Sequence, residues 1–391
     1  MRSLSSLLLL LVLVTSSYAQ QTDRKLALTN STLNGVQNTD INEPELKPLD
    51  IDARPDETTI AATVALKEGN SFWRDGKFKP AALSYQRAIE LQPESYAAQS
   101  NLGAAKLQLH EFSEAVVAFK KAISLKPDSA QAWQSLGLAY YYQEQYQLAV
   151  NTLENAQKLA PAEARFNNNL GYAYMFVDKF NEAIAAFKTT LELDPNFGTA
   201  KSGLCGAYTL SHQPTEALAI CQEAIKLNAA SAVPRYFLGY AYLDLDDVPK
   251  SIAAFEQARG LEAGTARIWV GLGFAYLKQK KFDRALYHFQ RAKELDTNAA
   301  DVYSAIGSAY AEMRKYDMAE VALREALTRD PENGVNHFNL GLVCLQRKDR
   351  DCALTQYNYL KLNSDPLAKR LFSNIHGDKV VDVTAYRKER H

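Results

Sequence analysis

The stretch from Asn169 to Phe187, NLGYAYMFVDKFNEAIAAF, decides the fold of this chain. In its first half Leu170 and Tyr174 lie four places apart, and in its second half Ala183 and Phe187 do the same. Apolar residues at this spacing are typical of amphipathic helices. An Asp-Lys pair separates the two halves as a short polar turn. We therefore predict two antiparallel helices, a helix hairpin.

The hairpin pattern recurs every 34 residues, in nine units from Ala62 to Leu367, with no insertion or deletion. The eighth place of each unit holds Gly69, Gly103, Gly137, Gly171, Cys205, Gly239, Gly273, Gly307 or Gly341, and the twentieth holds alanine or, once, serine. The twenty-fourth place holds a larger residue in eight units: Tyr85, Phe119, Leu153, Phe187, Phe255, Phe289, Leu323 and Tyr357. We expect the two helices of a unit to approach most closely at the small residues, with the larger side chains filling the space beside them.

One unit carries the fullest form of the motif, in Trp133, Leu136, Gly137, Tyr140, Tyr146, Ala149, Ala156 and Pro161. This set resembles the signature of the tetratricopeptide repeat, and the resemblance covers residues 62–367. It implies an all-α fold, a right-handed α-solenoid or superhelix of about nine helix hairpins, whose first helices line a concave groove. Ala229, Ala263 and Thr297 replace the proline that ends the second helices of units one to four and unit eight, so we expect less sharply set joints there.

The repeats divide the chain into four regions. Residues 1–19 combine Arg2, an apolar run and a small-residue cleavage pattern, which predicts a secretory signal peptide; an uncleaved membrane anchor is the alternative. Residues 20–61 are predicted to be a disordered tether. The units follow at 62–95, 96–129, 130–163, 164–197, 198–231, 232–265, 266–299, 300–333 and 334–367, and residues 368–391 are expected to form a capping helix and a polar tail. The sequence thus predicts an exported protein, periplasmic or secreted, with no membrane insertion after signal cleavage.

Charge and motifs argue against several functional classes. The net charge of −1 on 391 residues gives no basic surface for nucleic acid. The six histidines form no zinc-protease motif, and neither a nucleophile elbow nor a phosphate-binding glycine loop is present in the sequence. We expect no enzyme activity, no catalytic residues, no cofactor and no metal site.

Four cysteines occupy two hairpins. Cys205 and Cys221 lie on the two helices of unit five, and Cys344 and Cys352 lie on the two helices of unit nine. Facing positions in an exported protein favour the disulfides Cys205–Cys221 and Cys344–Cys352 among the three pairings that four cysteines allow. The alternative is four buried free thiols that pack as small apolar residues.

The outward places of the first helices are the candidate partner-binding groove. They are unusually aromatic from unit three to unit seven: Tyr141, Tyr142, Tyr172, Phe176, Tyr236, Phe237, Tyr240 and Phe274. Amides join them at Asn101, Asn168 and Asn169, and resemble the groove asparagines with which the repeat arrays of sugar-transferring enzymes hold peptide backbones. A contiguous exposed apolar stripe marks an interaction site, although such rings also pack between neighbouring repeats.

One known ligand of such grooves, the acidic C-terminal peptide of heat-shock chaperones, does not fit this sequence. Its clamp needs lysine and arginine, and Leu66, Gln131 and Ser135 stand at those places. We therefore expect a non-catalytic scaffold or adaptor that binds a protein or peptide segment of low charge in the groove. The alternatives are a structural or assembly component that acts by self-association, and a substrate-presenting accessory of a separate enzyme.

Overall fold

The computed structural model describes residues 56–363 and 365–376. These residues form nineteen helices and no strand. The helices are α1 Glu57–Arg74, α2 Phe78–Leu91, α3 Tyr96–Gln108, α4 Phe112–Leu125, α5 Ala130–Tyr142, α6 Tyr146–Leu159, α7 Ala164–Phe176, α8 Phe180–Leu193, α9 Gly198–Leu210, α10 Pro214–Leu227, α11 Val233–Asp244, α12 Val248–Leu261, α13 Ala266–Lys278, α14 Phe282–Leu295, α15 Ala300–Glu312, α16 Tyr316–Arg329, α17 Gly334–Gln346, α18 Arg350–Leu362 and α19 Leu367–His376. The predicted signal peptide, most of the tether and the polar tail lie outside the described residues.

The described chain forms two compact units. The first, residues 56–228, holds repeats one to five, and the second, residues 229–376, holds repeats six to nine and α19. Within each unit the two helices of a repeat pack together, and the second helix also packs on the first helix of the next repeat. This is the all-α helical repeat solenoid that the sequence predicts.

The helices of a hairpin meet at the glycine of the eighth place, which only repeat five replaces, by Cys205. A Cβ atom built on Gly171 would lie 2.8 Å from the ring of Phe187, and one on Gly103 would lie 2.7 Å from the ring of Phe119. Ala183, at the twentieth place, is fully buried. The predicted close approach is confirmed, because an aromatic ring occupies the space that a side chain on the glycine would need.

Every hairpin turn places one residue in the left-handed region of backbone conformation. This residue is Gly76 in repeat one and a residue with a side chain in the others: His110, Glu144, Asp178, His212, Asp246, Lys280, Arg314 and Lys348, with φ between 55° and 63°. The next residue closes the turn on the preceding helix; the N–H of Lys179, for example, donates to the carbonyl of Tyr174 at 3.0 Å. This is the usual left-handed end of a helix, which most often uses glycine. Sequence reasoning placed the turn but not its conformation.

The joints within the second unit are equally sharp with and without proline. In the second unit α12 and α14 end at the same repeat position as α16, although only α16 is followed by the proline. The expectation of looser joints after repeats six and seven is therefore wrong. A side chain at the fourth place of the next repeat bonds to the turn in both cases. Trp269 Nε1 donates to the Ala263 carbonyl at 2.8 Å and Tyr303 Oη to the Thr297 carbonyl at 3.4 Å, and Trp133 Nε1 makes the same bond to the Pro127 carbonyl at 2.8 Å.

Helix α1 begins before the first predicted unit. The side chain of Asp56 accepts a hydrogen bond from the Thr59 N–H at 2.6 Å and so caps the helix, and Glu57 adds a negative charge to its first turn. Residues 57–61, which the sequence analysis assigned to the tether, are therefore helical. The hydrogen bonds that the Asp56 carboxylate accepts, chiefly from Thr59, also lower its pKa.

Helix α19 covers the end of the second unit. It packs on both α17 and α18, and Leu371 is fully buried. A Cβ atom on Gly341 would lie 2.6 Å from Leu371 Cδ2. In repeat nine a side chain from the following helix thus takes the place that Phe187 takes in repeat four. Among the described helices none is both long and apolar enough to cross a membrane.

Candidate protein-binding faces

Amide side chains link successive first helices in residues 56–228. Asn101 Nδ2 donates to Asn70 Oδ1 at 3.0 Å, and the Tyr85 hydroxyl donates to the same oxygen at 3.0 Å. Asn70 and Asn101 are both buried, and burial raises the pKa of Tyr85. The predicted groove residue Asn101 thus hydrogen-bonds to the neighbouring repeat.

The same polar face continues in repeats three to five. Arg165 Nη2 donates to Gln131 Oε1 at 3.1 Å, and Thr199 Oγ1 donates to Asn168 Oδ1 at 3.4 Å. Asn168 Nδ2 also donates to Asn169 Oδ1 at 3.3 Å. Asn168 and Asn169 are buried, whereas Gln131, Arg165 and Thr199, each at the second place of its repeat, are half-buried. We call these three residues the polar row.

The aromatic residues of repeats three and four pack against one another. The ring centroids of Tyr141 and Phe176 lie 5.2 Å apart, and Phe176 stacks on Tyr146 at 4.2 Å. Tyr142 stacks on Phe112 of repeat two at 5.6 Å. Tyr141 is buried, which raises the pKa of its hydroxyl well above the usual range. Tyr142 and Phe176 remain half-buried.

Residues predicted at the ninth place turn inward. The Tyr172 ring meets Phe187 at 5.0 Å, and its hydroxyl donates to the Thr199 carbonyl at 2.7 Å. Tyr240 meets Phe255 edge to face at 5.0 Å, and Phe274 meets Phe289 at 5.3 Å. Each ring therefore packs on the large residue of its own hairpin core.

The expected exposed stripe is wrong for four of its members. Tyr172, Tyr236 and Phe237 are almost fully buried, and Tyr141 is 7% exposed. The physical reason is that successive first helices lie close together, so that these rings fill the space between repeats. Tyr142, Phe176, Tyr240 and Phe274 keep partial exposure, and partner binding by these residues stays a prediction.

Both predicted cysteine pairs are joined in the structure. The Cα atoms of Cys205 and Cys221 lie 4.9 Å apart, and those of Cys344 and Cys352 lie 5.8 Å apart. Both values are ordinary for a disulfide. Oxidation of these thiols in the protein stays a prediction, because it depends on the compartment as well as on the geometry.

Several exposed large apolar side chains share one place on the second helices, which sequence reasoning did not single out. In the first unit Leu83 is 62% and Val117 69% exposed, at the same place of repeats one and two. In the second unit Tyr287 and Val321 occupy that place in repeats seven and eight and are exposed too. The available signal was an apolar residue on the polar face of an amphipathic helix.

A buried histidine lies behind the exposed Tyr287. The His288 ring stacks on the Tyr276 ring at 5.0 Å and lies 5.7 Å from the Trp269 ring. The Arg259 guanidinium lies over the Trp269 ring, 5.3 Å from its centroid. Burial lowers the pKa of His288, and the positive charges of Arg259 and Arg284 add to this effect against the opposing charge of Glu256. The uncharged ring therefore acts as part of the packed core.

Models of the tetratricopeptide repeat match several segments of the chain. They cover residues 106–143, 135–176 and 164–197 in the first unit, and 264–332 and 304–365 in the second. These segments are tetratricopeptide repeats. No curated protein sequence matches the chain significantly.

Solved structures share the fold at low sequence identity. A tetratricopeptide repeat protein from Parabacteroides merdae is 17% identical with a TM-score of 0.55, and the match covers 64% of this chain and 99% of that one. The APC/C hetero-tetramer Cut9-Hcn1 is 17% identical with a TM-score of 0.50, covering 80% of this chain and 76% of that one. Proteins built from these repeats are generally non-catalytic scaffolds that bind other proteins.

Proposed function

We propose that this chain is a non-catalytic scaffold that holds an extended protein segment on the first-helix face of residues 56–228. The observation that carries the proposal is the polar row, in which Gln131, Arg165 and Thr199 remain partly open to solvent on three successive repeats. One turn beyond Gln131, the buried amide of Gln134 has no hydrogen-bond partner among the described residues.

The chemistry of this face suits a peptide backbone. An amide side chain offers both a donor and an acceptor, as a peptide group does, and the Arg165 guanidinium adds donors held in place by Gln131. The repeat spacing offers such groups at regular intervals along an extended segment. Tyr142 and Phe176, half-buried on the same helices, would contact apolar side chains of the segment.

A second candidate function is self-association. The exposed Leu83 and Val117 lie at equivalent places on α2 and α4, and exposed apolar side chains on adjacent helices are typical of interfaces. This surface belongs to the second helices, so it is distinct from the polar row and can be tested separately. An accessory role beside a separate enzyme would use either surface.

We also propose that the protein is exported and loses residues 1–19. The support is the sequence pattern of that segment. Sequencing the amino terminus of the protein purified from its native source tests this: a start at Gln20 is expected, and a start at Met1 would contradict it.

Photocrosslinking tests the binding face. Two variants each carry one benzoylphenylalanine. In the first it replaces Gln131 on the polar row, and in the second it replaces Val117 on α4, which is 69% exposed. Illumination in the native extract should give an adduct with another protein from position 131, and the adduct should be lost when Arg165→Ala is added. Adducts from position 117 alone would refute binding on the polar row, and an adduct with a second copy of the chain would establish self-association.

A further inference from the structure

The two disulfides occupy different kinds of places in the repeat. Cys205 stands where other repeats have the core glycine, and Cys221 stands where Phe187 or Phe255 stands. Both cysteines are fully buried. The sulfur pair of repeat five therefore replaces the glycine and the aromatic ring together, and it belongs to the hairpin core.

The disulfide of repeat nine lies at the edge of its hairpin. Cys352 occupies the nineteenth place, which is exposed in other repeats of the second unit, as in Lys250, Arg284 and Met318. Cys352 retains 9% exposure, whereas Cys344 is fully buried. The Cys344–Cys352 bridge therefore lies closer to solvent, on its Cys352 side, than the Cys205–Cys221 bridge, whose two cysteines are fully buried.

The turn that the second bridge spans does not depend on it. The Lys348 N–H donates to the Leu345 carbonyl at 3.0 Å, and the Asp349 N–H donates to the Cys344 carbonyl at 2.9 Å. In repeat eight, which has no cysteine, Arg314 and Lys315 make the same two bonds at 2.9 and 2.8 Å. The hairpin can therefore keep its turn when the sulfur atoms separate.

A cation lies beside the Cys352 sulfur. Arg324 Nη2 is 3.9 Å from Cys352 Sγ, and the Arg324 side chain is 56% exposed while it pairs with Glu320 at 2.8 Å. A guanidinium group next to a cysteine favours the thiolate form and so stabilises the reduced state.

We propose that the Cys344–Cys352 bridge is a reversible redox site that opens by exchange with a dithiol reductant, while Cys205–Cys221 stays closed. A reductant thiolate attacks Cys352 Sγ, the S–S bond breaks, and Cys344 leaves and takes up a proton. The second thiol of the reductant then attacks the reductant's own sulfur in the mixed disulfide and expels Cys352 as a thiolate beside Arg324. The reductant gives two electrons and becomes a disulfide, and the remaining proton goes to solvent.

Graded reduction of the full oxidised chain tests the proposal. The protein is equilibrated with increasing dithiothreitol, quenched with acid, labelled with N-ethylmaleimide and digested for mass spectrometry. We expect Cys344 and Cys352 to be labelled at a dithiothreitol concentration at least about tenfold below that needed for Cys205 and Cys221. The circular dichroism of the helices should stay unchanged over this first step.

Two charge variants separate the role of Arg324 from a general change in charge. In the reduced protein, Arg324→Gln should raise the pH midpoint of Cys352 labelling by about one unit. Arg350→Gln removes an equal charge from an exposed position of repeat nine, the repeat that holds Cys352, and should change this midpoint less. Equal shifts in both variants, simultaneous opening of the two bridges, or labelling of all four cysteines before reduction would each overturn the proposal.

Discussion

The same repeat positions carry amides in repeats two and four of the first unit and aromatic rings in repeat six of the second unit. In residues 56–228 the first helices place Asn168 at the fifth place and Asn101 at the sixth, and both hydrogen-bond to neighbouring repeats. In repeat six, within residues 229–376, these two places hold Tyr236 and Phe237, which pack as rings and are fully buried. The backbone of the hairpin accepts either solution, because the glycine at the eighth place and its large partner set the helix spacing independently.

The two cysteine pairs also show that the hairpin accepts different side chains at equivalent places. Cys205 and Cys221 replace the glycine and aromatic pair of the core, and Cys344 and Cys352 replace residues at its edge. A repeat thus tolerates new chemistry where the replacement fills the same volume or lies beside solvent.

The largest expected effect is the loss of a buried aromatic ring from repeat six. Phe255→Ala removes a buried ring that packs on Tyr240 and fills the space beside Gly239. It should lower the free energy of unfolding by about 3–5 kcal/mol, measured by urea denaturation. Tyr287→Ala, at a 58% exposed position, is the control and should change it by less than about 0.5 kcal/mol. A small decrease in the free energy of unfolding for Phe255→Ala would show that packing of this aromatic ring does not stabilise the second unit.

The next largest effect is the loss of the buried amide hydrogen bond between repeats one and two. Asn101→Ala removes a donor from the buried Asn70 amide oxygen and should cost about 1–3 kcal/mol. In a double-mutant cycle with Asn70→Ala, the double variant should cost less than the sum of the single variants, because the two amides share one bond. Additive losses would mean that the amides act independently.

A smaller effect isolates one hydrogen bond between repeats. Tyr172→Phe keeps the ring on Phe187 and removes the hydroxyl that donates to Thr199. It should lower the free energy of unfolding by about 1 kcal/mol. Tyr287→Phe is the exposed control, for which no measurable change is expected. Equal values for the two variants would contradict a structural role of this hydroxyl.

The smallest effect concerns the turns, which are alike in both units. Lys348→Gly should raise the free energy of unfolding by about 0.5 kcal/mol, because glycine adopts its φ of 63° without strain. Gly76→Ala should lower it by about as much, since a Cβ there meets no atom within 4 Å and only the backbone conformation is affected. Thermal unfolding of both variants checks the two signs, and a loss with Lys348→Gly would contradict the argument.

Much of the fold is readable from the chain because helix periodicity and the 34-residue repeat are local patterns. Gly171, Ala183 and Phe187 stand at fixed distances, and those distances alone indicate which faces of the two helices meet. The binding face was harder to predict. Exposure at the ninth place depends on how closely the next repeat packs, and spacing within one repeat does not report that distance, so Tyr172 was expected outside and is buried.

The sequence by itself determined the helix hairpins, their number and the pairing of small with large residues at their cores, because these depend on period and side-chain volume. Only the tertiary structure decided that Lys280 and its equivalents adopt the left-handed turn, that Trp269 bonds to a joint without proline, and that the sulfur of Cys352 lies beside Arg324. The residue types at these positions do not report the conformation or the contact, because side chains of several kinds occupy the left-handed turns and the bonded atoms meet only when helices and joints are packed.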